Sequence, residues 1–124
     1  MRKFEFKKSY EEVEIAGEVY KVSLKDEDRK SYQEQLSKFY DLVSKVNAVD
    51  ESISIESSMQ LEVEAREITL ETLDVLFGQG SGVKLYIASE EQAEELMPIV
   101  FSVAEIINER RQEKFGKYMK NKGK

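Results

Sequence analysis

The hydrophobic period of this chain changes once, near residue 25, and that change most constrains the fold. Before it, apolar residues alternate with charged ones. After it, they recur every three or four residues. The first pattern suits a sheet with one covered face and the second suits helices with one covered stripe. Val13-Glu14-Ile15 and Val19-Tyr20-Lys21-Val22-Ser23-Leu24 flank Ala16-Gly17, a two-residue turn. Such a turn fixes the register: Val13 faces Tyr20, Ile15 faces Glu18 and Glu12 faces Lys21. The last is a cross-strand charge pair worth roughly 0.2–1 kcal/mol. Upstream, Phe4 and Phe6 alternate in the same way and read as a further strand packing on the core. A lone hairpin is marginal in water, so its apolar face needs helices to cover it.

Three helices are expected. Asp26-Glu27-Asp28 supplies an acidic first turn, and Tyr32, Leu36, Phe39, Val43 and Val46 form the stripe of a helix over 26–48. Asp50 reads as the cap of a second helix over 51–77. Its stripe is Ile55, Met59, Val63, Leu70, Leu73 and Phe77, interrupted at Arg66, with weak helix formers at Ile68-Thr69 that leave room for a break and a stop at Gly78. Gln79-Gly80-Ser81-Gly82 reads as a flexible loop or hinge, and Val83–Ile87 as a short extended or irregular run. Ser89 and Gln92 have capping-box spacing for a third helix over 90–118. Pro98, the single proline, calls for a kink or a true start nearer Met97. The fold class is α+β and mainly helical: one domain over 1–124, with a hairpin or small antiparallel sheet in 1–24, helices in 25–119 and a flexible basic tail at 120–124.

The composition removes most chemistry. The 124 residues include no histidine, cysteine or tryptophan. There is no imidazole base, no nucleophilic triad and no histidine or thiolate metal ligand. Gly78-Gln79-Gly80-Ser81-Gly82 with Lys84 lacks the strand before and helix after that a phosphate loop requires. Glu90, Glu91, Glu94 and Glu95 read as a solvated, dipole-matched helix start. No cofactor, no metal and no enzymatic activity are expected. No apolar run approaches the roughly 20 residues of a membrane span. The basic start lacks the apolar stretch of a signal peptide. A cytoplasmic protein is the expectation.

Charge is unevenly placed. Residues 50–77 carry a net −7, residues 78–107 a net −4 and residues 108–124 a net +5, within a total of −6. Such polarity bears on association. It favours copies meeting head to tail, and a homo-oligomer is expected. The basic C-terminal tail also leaves open a small nucleic-acid-binding or regulatory protein, though the acidic body repels phosphate.

The order of elements carries a resemblance. A Phe-x-Phe opening precedes the Val13–Val22 hairpin. An acidic-capped helix bears Tyr32, Leu36 and Phe39. Ile68-Thr69-Leu70-Glu71-Thr72-Leu73-Asp74-Val75-Leu76-Phe77-Gly78-Gln79-Gly80 closes the next. Lys84-Leu85-Tyr86 leads to a final helix ending Glu113-Lys114-Phe115-Gly116-Lys117-Tyr118. Taken together this resembles the tail assembly chaperones, or minor structural proteins, of long-tailed bacteriophages and prophages of Gram-positive bacteria. The resemblance spans nearly the whole chain but rests on patterns, without a catalytic signature. It implies a non-enzymatic protein of the host cytoplasm that oligomerises, binds the tape measure protein while the tail tube assembles, and is absent from the finished virion. Many such genes also yield a longer, frameshifted form. Lys120-Asn121-Lys122-Gly123-Lys124 is compatible with adenine-rich slippery codons.

A chaperone of this kind needs apolar seams and no reactive group. The candidate partner-binding residues are Tyr32, Leu36, Phe39 and Tyr40 on the first helix and Phe115 and Tyr118 at the end of the last. Aromatic residues at helical spacing serve either a core or an interface. For Leu36 and Phe39 the core is the first reading.

Overall fold

A computed structural model describes residues 1–122. It is a mainly helical α+β fold: β1 (Tyr10–Ile15), β2 (Glu18–Ser23), α1 (Arg29–Asn47), α2 (Ile55–Phe77), α3 (Ser81–Ala88) and α4 (Met97–Lys122). Single 3-10 turns at Asp26–Asp28 and Ala93–Glu95 lead into α1 and α4.

The hairpin has the register set by its turn, with Val13 opposite Tyr20, Ile15 opposite Glu18 and Glu12 opposite Lys21. Ala16 and Gly17 both have positive φ, 51° and 81°. That combination matches the twist of the two strands, and glycine adopts it at little steric cost. Tyr20, Val22 and Leu24 fall on one face and are buried. Phe4 and Phe6 do not join the sheet. They lie outside β1 in an extended arm, 83% and 98% exposed, which corrects the expected core role. The alternation there has no partner strand to pair with.

Helix α2 is the hub: β2, α1, α3 and α4 all pack against it. The core joins Tyr20 and Val22 of the hairpin to Phe39 of α1, Leu73 and Leu76 of α2, Leu85 of α3, and Val100 and Val103 of α4. Asp50 does not cap α2. It accepts hydrogen bonds from Ser52, and Ser54 caps the helix by accepting from the Ser57 amide at 3.0 Å. No break occurs at Ile68-Thr69. The Thr72 hydroxyl donates to the Ile68 carbonyl at 2.7 Å and accepts from the Gln35 amide at 2.9 Å, so a buried polar pair ties α1 to α2.

The largest departure is α3. Val83–Ile87 is helical, and the glycine segment before it is no flexible loop. Gly78 ends α2 and Gly80, at φ 93°, reverses the chain. Gly82 then sits against the α2 backbone, where an added Cβ would lie 2.9 Å from the Leu70 carbonyl carbon. Its amide donates to the Asp74 carboxylate at 2.7 Å, which caps α3 from the neighbouring helix. Gln92 donates twice to Ser89, from its N–H to Ser89 Oγ at 3.1 Å and from Nε2 to Ser89 O at 2.8 Å. They brace a turn, not a helix start. The last helix begins at Met97, which places Pro98 in its first turn, where a missing N–H costs nothing. It continues to Lys122, past the expected end of the helical part. The remaining two residues of the expected 120–124 tail lie outside the described residues.

Candidate partner-binding face

Helices α1 and α4 both pack on α2 and leave a groove of about 510 Å³ between them. Tyr32, Leu36 and Tyr40 form the α1 wall. Ala104, Ile107, Asn108 and Arg111 form the α4 wall. The apolar lining follows from helical spacing: Tyr32, Leu36 and Tyr40 are four apart, and Ala104, Ile107 and Arg111 are three and four apart. Arg29, Asp41, Glu105 and Arg111 are among its lining residues, so charge of both signs surrounds the groove.

The candidate residues divide by burial. Tyr32 and Phe39 are 5% and 0% exposed and belong to the core. Tyr32 still borders the groove at its α1 wall, whereas Phe39 does not line it and is removed from direct contact. Leu36 is partly buried against the core at the groove wall. Tyr40 is 44% exposed. Its ring lies 6.0 Å from Phe39 and 6.1 Å from Phe101, and Phe39 meets Phe101 edge-on at 5.3 Å. Two aromatic rings, Phe39 and Phe101, therefore hold Tyr40 in place at the groove mouth. Burial raises the Tyr32 phenol above its ordinary pKa, with the Asp28 charge adding to the effect.

Beyond the groove, α4 carries the same face onward. Ala104, Asn108, Arg111, Phe115 and Tyr118 follow each other at steps of four and three, on one side of the helix. Phe115, Tyr118 and Met119 are 58%, 67% and 69% exposed. From Ala104 to Tyr118 the track rises about 21 Å. The sequence reading missed Arg111 and Met119 as parts of this face and placed Ile107 only in a core stripe. Extending the three-four spacing back from Tyr118 finds Arg111.

The α4 end is also held by the N-terminal part of the chain. Lys7 pairs with Glu113 at 2.6 Å, Arg110 donates to the Lys8 carbonyl at 3.1 Å, and Lys114 pairs with Asp26. The N-terminal arm and the turn before α1 thus clamp α4, while Phe115 and Tyr118 stay exposed. The clamp is exposed and electrostatic. Lys7 holds Glu113 below its ordinary pKa, and Lys114 does the same for Asp26. Since both folded values are depressed, the clamp's contribution is complete above the ordinary carboxylate range and is lost as pH falls through the lowered values. Acidification is expected to free the arm and fray the α4 end while the α1–α2 core persists. Amide exchange at residues 7–9 and 110–119 checks this. Unchanged protection there down to pH values that protonate carboxylates would refute it.

The acidic cluster at Glu90–Glu95 is a turn followed by a short 3-10 segment. Among the described residues no group of three or more acidic side chains is arranged to hold a metal ion. Among the described residues no helix is long and apolar enough to cross a membrane. Comparison with protein-family models, with curated proteins and with solved structures finds no match to this chain.

Proposed function

We propose that this chain is a tail assembly chaperone of a long-tailed phage or prophage, non-enzymatic, that holds an amphipathic segment of the tape measure protein. The observation that carries the reading is the continuous face from Leu36 and Tyr40 through Ile107 to Phe115 and Tyr118. Its apolar anchors alternate with Asn108 and Arg111, charges of both signs line it, and it is about four helical turns long. A helix in a groove is recognised through anchors at three-four spacing, and exposed aromatics supply large contact area at low entropic cost. The resemblance in element order supplies the partner's identity; the groove supplies a place for it.

Tyr118→Ala and Tyr40→Ala are expected to leave the melting temperature nearly unchanged and to weaken co-purification of a co-expressed tape measure protein at least tenfold. If capture survives both substitutions and also deletion of the residues after Asn108, the face is wrong. If the wild-type chain does not keep the tape measure protein soluble, the chaperone reading itself is lost. A tape measure gene beside this one would favour it independently.

The second reading, a small nucleic-acid-binding or regulatory protein, gains from the exposure of Phe4 and Phe6 among Arg2, Lys3, Lys7 and Lys8. Bases stack on such aromatics while the lysines track phosphate. Salt-sensitive anisotropy of a labelled single-stranded oligonucleotide at micromolar protein is the result that would favour it.

A further inference from the structure

The molecule has two electrostatic poles. Helices α1 and α4 run so that the start of α1 lies beside the end of α4, joined by Asp26 and Lys114. The N-terminal arm is anchored at this pole through Lys7 and Glu113. Residues 2–8 carry four basic side chains and one acid, a net +3. With Arg110, Arg111, Lys114 and Lys117 near the end of α4, this pole is basic. Arg2 and Lys3 form no ion pair among the described residues, and Phe4 and Phe6 cover nothing.

The opposite pole holds a second groove, of about 660 Å³, between the end of α1, the first half of α2 and the start of α4. Val46, Val49, Ile53, Leu61 and Met97 give it an apolar lining, and Glu62, Glu91 and Glu94 outnumber Arg66 around it. Thr69, among its lining residues, is fully buried, and its hydroxyl has no hydrogen-bond partner.

We infer that the arm of one copy docks in this groove of another, with Phe4 and Phe6 seated on the apolar lining and Arg2 and Lys3 meeting Glu62, Glu91 and Glu94. Charge complementarity selects the occupant: a basic, doubly aromatic segment fits an acidic-rimmed apolar groove. Reach decides between the same copy and another. Glu113, which anchors Lys7, is 16 residues along α4 from Met97 at the groove, about 24 Å by helical rise. Phe4 lies three residues from Lys7 and extends at most about 11 Å. The arm cannot fill its own groove. Each copy offers one arm and one groove at opposite ends, so the contact is heterologous and extends into a ring or a filament.

The test uses the full chain in light scattering across concentration at low and high salt. The wild type is expected to associate beyond a dimer at tens of micromolar, less so at high salt. Phe4→Ser with Phe6→Ser, and separately Glu62→Lys with Glu94→Lys, should weaken association at least tenfold without lowering the melting temperature. Val83→Ser, an exposed apolar position outside the groove, should change nothing. A wild type that stays monomeric, or either double variant associating like the wild type, overturns the inference. So does loss of oligonucleotide binding in the Phe4/Phe6 variant with association intact, which would assign the arm to nucleic acid. Because the chain has no cysteine, a copy with Lys3→Cys mixed with one carrying Ser58→Cys should form a disulfide between copies. An intrachain disulfide in the doubly substituted monomer would refute the exchange.

Discussion

Gly82→Ala is expected to destabilise the fold by about 3 kcal/mol or more, at the upper end of overpacking penalties. The added methyl meets the Leu70 carbonyl and Cα, the latter at 3.0 Å, and both are backbone. No rotamer change relieves that contact, so α3 must move off α2 or lose its cap on Asp74. Alanine is the better helix former by about 1 kcal/mol, which does not offset the clash. Thermal melting should fall by roughly 10 °C or more for a domain of this size. A melting temperature equal to wild type would mean that α2 and α3 are not in this close contact.

Phe39→Ala is expected to cost about 3–5 kcal/mol, read as a shift of the denaturant midpoint at unchanged slope. Phe39 is fully buried and meets both Phe101 and Tyr40, so its loss leaves a cavity that three helices cannot collapse around. The neighbour Tyr40 provides the contrast. Its side chain is almost half exposed, and its removal should leave stability nearly intact. A loss below about 1 kcal/mol for Phe39→Ala would place that ring at the surface and return it to the candidate face.

The hairpin was readable because three independent signals agreed: alternation, a turn with a residue in the left-handed region, and an opposed Glu12–Lys21 pair. Helix α1 was readable because its stripe is regular over 19 residues. Helix α3 was not. It has eight residues, and Val83 with Ile87 looks like a strand, while what makes it helical lies elsewhere in the chain: the Asp74 carboxylate and the Leu70 backbone. Periodicity also marks a face without saying what covers it. Leu73 of the α2 stripe is fully buried, whereas Ile55, Met59 and Val63 of the same stripe are 82%, 60% and 42% exposed. The candidate face shared this ambiguity. Tyr32, Leu36 and Tyr40 are four residues apart, yet the first is core and the last half open. About 80° of rotation around the helix axis separates those outcomes, and only packing against α2 and α4 sets it.

The cap that Asp74 provides has a consequence for cooperativity. A helix of eight residues is far below the length that persists alone in water, so α3 has no life apart from α2. One carboxylate on the last turns of α2 orders the first turn of α3. Fraying at the α2 end therefore releases α3 as well, and with it Tyr86, which lines the acidic-rimmed groove. That pole of the molecule melts as a unit with its hub, while the clamped end of α4 opens on its own through exposed ion pairs. Sub-global opening in this protein thus has two modes of different depth: a shallow electrostatic one where the arm departs, and a deep one, near the global transition, where an arm would dock.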